Sequence, residues 1–213
     1  MADVKLAGST SKHSKLLDFA AGDVKTGFKQ EKNSETGKKT TSATVQVGDL
    51  KLAGSTSKHS KSVDFSAGKV KTGFKQEKNS ETGDKTTSGT VQVADVKLAG
   101  STSKHSKSVD FAAGDVKTGF KQEKNSEKGE KTTSATVQVG DVKLAGATSK
   151  HSKSLDFAAG DVKTGFKQEK NSEKGNKTTF ATVQVADVKL AGSTSKHSKS
   201  VDFAAGDVKT GFK

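Results

Sequence analysis

The chain has 213 residues, of which 29% are hydrophobic, and its 37 lysines outnumber the 24 acidic residues to leave a net charge of +13. With its 22 glycines included, about 39% of the chain is apolar, which is below the about 45–50% of a globular protein counted in the same way. The sequence contains no Cys, which excludes disulfide bonds and thiolate metal sites, and no run of about 18 apolar residues that could form a membrane helix. It also lacks Arg and Tyr, which excludes bidentate guanidinium recognition of phosphate or guanine and adhesion through modified tyrosine.

A tandem repeat of 46 residues organises the whole chain. The hexapeptide Asp-Val-Lys-Leu-Ala-Gly begins at Asp3, Asp95, Asp141 and Asp187, and Asp-Leu-Lys-Leu-Ala-Gly begins at Asp49. These starting points define the units 3–48, 49–94, 95–140 and 141–186 and a partial fifth unit, 187–213. No change in composition separates the units, so the sequence predicts a single repeat array over 1–213, without a linker or a second domain.

Within a unit, apolar and polar residues alternate in four short segments, which is the period of half-buried strands. In chain order, one such set is residues 91–93, 96–98, 109–111 and 116–120. Between the first two segments, at Ala-Asp, the apolar residues change from odd to even positions, and the last two segments differ in the same way at Gly-Asp. In a continuous strand this change would put them on opposite faces, so a turn or bulge is predicted at each point. The polar stretches 101–107 and 121–133 are predicted to be connections, the second a hairpin tip or mobile loop in preference to a short helix.

The balance between burial and entropy predicts how the units combine. One unit has too few large apolar side chains to offset the entropy of ordering 46 residues, so neighbouring units must share faces and strand edges. A helical fold is disfavoured because the large apolar residues lack i, i+3, i+4 spacing and are often β-branched. We therefore predict an all-β fold, either a β-solenoid or an extended repetitive β-sheet that can assemble into fibrils. The alternative is a chain that stays disordered until it assembles.

Two parts of the unit resemble known families. Residues 116–139 and 90–95, where Lys-rich and Ser/Thr-rich blocks alternate, resemble the small barnacle cement proteins, which are rich in Ser, Thr, Gly, Ala, Lys and Val. That resemblance implies an extracellular, self-assembling underwater adhesive. Residues 140–147 and 159–164 resemble the haemagglutinin-type repeats of bacterial filamentous adhesins, which implies a right-handed β-helix that serves as an extracellular stalk.

One histidine recurs at the same position of every unit. A stacked fold could align these residues into a ladder that binds a metal or responds to pH. The neighbouring residues are Lys and Ser, with no carboxylate to complete a ligand set, so we interpret them as solvated loop histidines. Equivalent histidines in every unit also argue against a single catalytic pocket, and we predict no enzyme, no catalytic residue, no metal and no cofactor. The five are His13, His59, His105, His151 and His197.

Two further motifs have a functional and a structural interpretation. Val-Gln-Val-Gly at 45–48 and 137–140 matches the core of amyloid-forming signalling motifs, but Ala94 and Ala186 replace the glycine in two units, which favours an ordinary strand and turn. The recurring threonines of residues 40–44 suggest ice binding, but they form no continuous Thr-x-Thr row and lysines interrupt the face.

Lysine accounts for most of the charged side chains, with 37 lysines against 24 acidic residues. Lysine side chains bind anionic surfaces and polyanions as point charges; alternatively, they keep a repetitive β protein soluble and protect its edges. A specific nucleic-acid partner is disfavoured because Arg is absent and the aromatic residues, all Phe, follow the strand pattern. The candidate surface-binding residues, expected to lie outside the apolar rows, are Lys12, Lys15, Lys58, Lys61, Lys104, Lys107, Lys121, Lys124, Lys150 and Lys153.

Together these features predict a structural, self-assembling, cationic adhesive or matrix protein whose partners are copies of itself and anionic surfaces or polyanions. The alternatives are a β-helical stalk segment of a bacterial surface adhesin and an ice-binding or polyanion-binding repeat protein. The expected location is extracellular. No hydrophobic stretch of a secretion signal follows Met1, so a secreted protein would be present here in a mature or recombinant form.

Overall fold

The chain folds into β-strands throughout. The computed structural model describes residues 4–10, 15–56, 60–103, 107–148, 153–194 and 199–212, and within them it contains nineteen strands and no α-helix. The predicted all-β fold is confirmed. The strands are β1 (Val4–Thr10), β2 (Lys15–Ala21), β3 (Val24–Lys32), β4 (Lys38–Val47), β5 (Leu50–Thr56), β6 (Lys61–Ala67), β7 (Val70–Asn79), β8 (Lys85–Val93), β9 (Val96–Thr102), β10 (Lys107–Ala113), β11 (Val116–Asn125), β12 (Glu130–Val139), β13 (Val142–Thr148), β14 (Lys153–Ala159), β15 (Val162–Asn171), β16 (Asn176–Val185), β17 (Val188–Thr194), β18 (Lys199–Ala205) and β19 (Val208–Phe212).

The strands form two antiparallel sheets, and every complete unit contributes one hairpin to each. Sheet 1 has ten strands in the order β1-β2-β5-β6-β9-β10-β13-β14-β17-β18. Sheet 2 has nine strands in the order β19-β16-β15-β12-β11-β8-β7-β4-β3. Hairpins of successive units therefore pair side by side, and equivalent residues recur at every second strand.

A two-residue junction lies at each point where the chain passes from one sheet to the other. The Gly22 N–H donates to the Asp49 carbonyl (3.0 Å) and the Gly48 N–H donates to the Asp23 carbonyl (2.8 Å), so backbone pairing continues through the junction. Asp95, at an equivalent junction, has a positive φ of 44°. The structure thus places a break in the side-chain alternation where the sequence predicted a turn or bulge.

The two sheets do not enclose a hydrophobic core. Among the described residues only Ala21, Ala67, Ala113 and Ala159 are buried, and all four lie next to junctions. The chain exposes 14208 Å² of surface, whereas a compact monomer of its mass exposes about 9,300 Å². Cross-strand pairing and side-chain contacts within one layer therefore hold the fold together.

Of the two architectures predicted from the sequence, the structure has the extended repetitive sheet. Strand β2 pairs antiparallel with β5 of the next unit, and β4 pairs antiparallel with β7. A parallel β-helix would instead stack equivalent strands of successive coils. Antiparallel pairing follows from the short hairpin connections, which reverse the chain direction at every step.

The hairpin tip predicted within residues 121–133 is present, but the connection is shorter than predicted. Strand β11 continues to Asn125 and β12 begins at Glu130, so only residues 126–129 form the turn. The polar stretch 101–107 is likewise shorter as a connection, since β9 reaches Thr102 and β10 begins at Lys107. Alternation of apolar residues disappears there because both faces of a single-layer sheet meet solvent, so polar side chains occupy both.

The hairpin turns of sheet 2 are connected from unit to unit. The Asn125 side-chain oxygen accepts the N–H of Lys128 (3.0 Å), and Gly129 adopts φ 57°, a conformation that glycine adopts without strain. The serine that follows the asparagine bonds to the preceding unit: the Ser80 N–H and hydroxyl donate to the Gly37 carbonyl (3.0 Å each), and the Ser126 hydroxyl donates to the Gly83 carbonyl (2.8 Å). These bonds extend the ladder beyond the last strand pair.

Asp84 makes one of these turns sensitive to pH. Its carboxylate accepts the Ser126 N–H and the Thr82 hydroxyl, both at 2.9 Å, and these bonds, chiefly the first, hold the Asp84 pKa below its usual 3.8. The lowered pKa means that the carboxylate stabilises the fold above pH 3.8, and that this contribution is lost as the pH falls through the folded-state pKa. We expect the Ser126 amide resonance to titrate with a midpoint below 3.8, as measured by NMR.

Two controls accompany this measurement. The Asp84→Asn variant removes the titration, and the Ser80 amide, which donates to a carbonyl in the equivalent turn, should not follow the same curve. A Ser126 midpoint at or above 3.8 would show that the carboxylate is not held by these bonds in solution.

Candidate functional surfaces

Each sheet has two chemically different faces. Side chains alternate between faces along a strand, and directly paired residues share a face. We call the face of sheet 2 that bears Phe120 its apolar face, and the face that bears Lys121 its mixed-charge face. In sheet 1, the apolar face bears Phe111 and the mixed-charge face bears Asp110.

The apolar face of sheet 2 consists of residue rows that cross all nine strands. Nearest the junction is a row of valines, such as Val116 paired with Val139; next is a row of alternating threonine and valine, such as Thr118 with Val137. The third row carries a phenylalanine on every second strand, with Ala or Gly between. Its phenylalanines are Phe28, Phe74, Phe120, Phe166 and Phe212.

The apolar face of sheet 1 contains a denser row. Leucine and phenylalanine alternate across all ten strands, as in Leu98 paired with Phe111, and valine, leucine and alanine fill the row nearest the junction. The full row is Leu6, Phe19, Leu52, Phe65, Leu98, Phe111, Leu144, Phe157, Leu190 and Phe203.

The phenylalanine row of sheet 2 is open to solvent, and the Leu/Phe row of sheet 1 is partly open. The five phenylalanines of sheet 2 are between 40% and 73% exposed, and Leu52, Leu98 and Leu144 in sheet 1 are between 36% and 41% exposed. In sheet 2 the three apolar rows extend about 20 Å along the strands and about 40 Å across them, an area of about 800 Å². The largest apolar patch of a typical monomer is about 300–600 Å² and often marks an interaction site.

A continuous row of eight lysines borders the apolar face of sheet 2. Lys124 pairs directly with Lys131 and with Lys85, and the same like-charged pairing repeats on every strand from β3 to β16. Like charges directly opposite one another destabilise a sheet. The row comprises Lys32, Lys39, Lys78, Lys85, Lys124, Lys131, Lys170 and Lys177, all exposed and none in an ion pair with another described residue.

Sheet 1 has a second, sparser lysine row at the end away from the junction. Here lysine alternates with threonine, as in Lys107 between Thr102 and Thr148. The row contains Lys15, Lys61, Lys107, Lys153 and Lys199, and they share the face of the Leu/Phe row. Both apolar faces therefore end in lysines.

The mixed-charge faces hold the ion pairs. Lys121 Nζ lies 2.7 Å from Glu123 Oε1, and the equivalent pairs recur in the other three complete units at 2.6–2.8 Å. Lys117 Nζ lies 3.4 Å from Asp115 Oδ2, and the same oxygen accepts a hydrogen bond from Gln92 Nε2 (3.2 Å). The side chains of these pairs are half exposed, so each pair contributes at most about 1 kcal/mol. Their effect is to neutralise lysines on this face.

A shallow groove crosses sheet 2 along a row of alternating glycine and threonine, with lysines and glutamines beside it. Thr136 Oγ1 lies 2.9 Å from the point that a Cβ on Gly119 would occupy, and the equivalent distances in the other units are 2.7–2.9 Å. The threonine side chain thus leans over its paired glycine, which explains why every complete unit keeps glycine there.

The structure divides the predicted surface-binding lysines into three groups. Lys15, Lys61, Lys107 and Lys153 lie in the lysine row of sheet 1. Lys124 lies in the lysine row of sheet 2, and Lys121 lies on the opposite face, paired with Glu123. The expectation that Lys107, Lys121 and Lys124 occupy loops outside the strands is therefore wrong, because the strands extend into both polar stretches.

Several predicted positions lie outside the described residues. They are Lys12, Lys58, Lys104 and Lys150, together with all five histidines. Within the described ranges, no group of three or more His, Asp or Glu side chains could hold a metal ion.

No helix of the described chain is long and apolar enough to cross a membrane.

Comparison with protein-family models, with curated proteins and with solved structures finds no match. Function must therefore be inferred from the surfaces themselves.

The row of eight lysines was not predicted from the sequence, although part of its signal is there. Lys124 follows Phe120 by four residues, so in an extended strand both side chains share a face. Recognising that signal requires the strand to continue through residues 121–125, which the sequence analysis assigned to the connection between strands. The alignment of Lys124 with Lys131 depends on the register of the hairpin.

Proposed function

We propose that this protein is a structural, self-assembling, cationic adhesive or matrix protein that binds anionic surfaces outside the cell. One observation carries the proposal: wide apolar rows and unpaired lysine rows share the same faces of a single-layer sheet. A protein with no further partner gains nothing from a large exposed apolar face bordered by like charges that destabilise the sheet.

Two properties of such a face support adhesion. Long rows of lysines meet an anionic surface through many weak contacts at once, so the whole array binds far more tightly than one unit. The Leu/Phe row of sheet 1, whose lysine row is the sparser of the two, then favours association between copies, which the lysines oppose by repulsion. Salt screens that repulsion over about 8 Å at physiological strength, so self-association should increase with ionic strength while first contact with an anionic surface weakens.

Adsorption to silica tests the proposal with two variants, one that removes lysines from the apolar face of sheet 2 and one that removes them from its mixed-charge face. We expect the row variant Lys32→Gln, Lys78→Gln, Lys124→Gln and Lys170→Gln to adsorb much less at low salt than the parent. The control variant Lys29→Gln, Lys75→Gln, Lys121→Gln and Lys167→Gln removes the same charge from the mixed-charge face and should adsorb almost as well. A quartz-crystal microbalance measures the adsorbed mass, and circular dichroism verifies that both variants keep their strands.

The same instrument tests self-assembly. After a first layer forms at low salt, raising the salt to seawater strength should add further layers of parent protein. Equal adsorption of all three proteins, or a layer that never thickens, would leave the lysines as solubilising groups and remove the basis of the proposal.

A further inference from the structure

The positive charge of the molecule is concentrated on its two apolar faces. Those faces carry eight lysines in sheet 2 and five in sheet 1, and no carboxylate from a described strand. These thirteen lysines equal the net charge of +13, and the remaining 24 of the 37 lysines are matched by 24 acidic residues elsewhere. The rest of the chain is therefore neutral in sum.

The carboxylates lie on the other faces, at the junctions and in the turns. Glu123 and Asp110 exemplify the mixed-charge faces of sheets 2 and 1. At the junctions, Asp115 pairs with Lys117 on the mixed-charge side. Turn residues such as Glu127 follow the lysine row, but none of the row's lysines lies within ion-pair distance of a described carboxylate. An occupant that carries negative charge would therefore complement the lysine row.

The spacing on the apolar face of sheet 2 also defines the occupant's shape. Phe120 and Lys124 are four residues apart in one strand, so the phenylalanine row and the lysine row lie about 13 Å apart. Between them runs a polar row in which Gln122 hydrogen-bonds to Thr133 (3.5 Å). The face thus presents apolar, polar and cationic rows side by side, so a surface that offers both acyl chains and anionic headgroups at its boundary can contact all three rows at once.

The two other candidate occupants fit less well. A second copy would bring lysine rows to a face that has no carboxylate to pair with them. A soluble linear polyanion would satisfy the lysines but leave the phenylalanine and valine rows in water. A lipid surface covers both, because the lysine stems can extend their ammonium groups toward the phosphates while the rings enter the interface.

We propose that the apolar face of sheet 2 docks flat on an anionic lipid surface, with its phenylalanine row inserted at the headgroup boundary and its lysine row on the phosphates. The proposal deepens the proposed function, since it names which anionic surface the adhesive face fits.

Two single-tryptophan variants test the insertion, since the chain has no other Trp. Phe120→Trp places the reporter on the apolar face, and Ser134→Trp places it on the mixed-charge face of the paired strand. Phe180 occupies the position equivalent to Ser134 in the fourth unit, so an aromatic ring fits there. The probe is vesicles of equal parts phosphatidylcholine and phosphatidylglycerol with brominated acyl chains. We expect a blue shift and bromine quenching for Phe120→Trp, and neither for Ser134→Trp.

The lysine contribution is measured with the same vesicles. A lysine near an anionic leaflet strengthens binding about fivefold, so adding the row variant Lys32→Gln, Lys78→Gln, Lys124→Gln and Lys170→Gln to Phe120→Trp should weaken vesicle affinity by about two to three orders of magnitude. Pure phosphatidylcholine vesicles should bind the parent weakly.

Each contrary outcome overturns the lipid proposal. Equal quenching of both reporters would mean that no face is selected. A blue shift of Phe120→Trp without vesicles, which grows with protein concentration, would assign the face to a second copy. Binding to heparin without quenching by vesicles would assign the lysine row to a soluble polyanion. In any of these cases, retained adsorption to silica would leave the proposed adhesive function standing, whereas loss of silica adsorption would reject that function separately.

Discussion

A single unit, residues 95–140, is expected to be largely unfolded in dilute solution, whereas the full chain gives a β-sheet spectrum. In the full chain β10 pairs with both β9 and β13, and β11 pairs with both β8 and β12. The isolated unit would retain only two two-stranded hairpins, which are marginal in water at best. Because no side chain larger than alanine is buried among the described residues, nothing else compensates for the lost neighbours.

Circular dichroism of fragments of increasing length measures this effect. The β-sheet signal per residue should rise from one unit to two and then to three, because each added unit converts edge strands into strands that are paired on both sides. The full chain serves as the reference at the same residue concentration. If one unit matched the full chain per residue, the units would fold independently and sharing of strand edges would not be the source of stability.

Replacing every second lysine of the sheet 2 row by glutamate is expected to stabilise the fold and to abolish binding to anionic surfaces. Lys39→Glu, Lys85→Glu, Lys131→Glu and Lys177→Glu convert each like-charged contact in the row into an opposite-charged one. Exposed cross-strand pairs contribute about 0.2–1 kcal/mol each, so the total gain should be about 1–3 kcal/mol after allowance for solvent screening. The net charge falls from +13 to +5, with all of the change on the apolar face.

A control of equal net charge is present in sheet 1. Lys5→Glu, Lys51→Glu, Lys97→Glu and Lys143→Glu change a mixed-charge face whose paired residues are Ala and Ser. Thermal unfolding should show a raised midpoint only for the glutamate variant of the sheet 2 row, and silica adsorption should be lost only in that variant. If both variants lost adsorption equally, net charge alone would govern binding, and the position of the lysines would carry no meaning.

Much of the unit's local structure could be predicted from residue order. The alternation at residues 109–111 and 116–120 predicted strands, and both segments lie within strands β10 and β11. The phase shift at Gly-Asp predicted a turn or bulge, and the structure places a junction between the two sheets there. The candidate site could be predicted only as a residue type, because Lys121 and Lys124 look alike in a polar stretch. In the structure, Lys121 forms an ion pair with Glu123, whereas Lys124 lies in the unpaired lysine row.

The sequence by itself determined the 46-residue period, the all-β class and the break in alternation at each Ala-Asp and Gly-Asp step, because these follow from local alternation and turn residues. Only the tertiary structure decided that the units pair as an antiparallel meander and that lysines of different strands lie side by side. Lys85 and Lys124 are 39 residues apart in the chain, and their pairing depends on strand register, which the pairing of β9 with β10 and the shared ladder set together. Side chains alternate between faces with a period of two. A one-residue slip in that register would therefore place Lys124 on the opposite face of the sheet from the neighbouring lysines of the row.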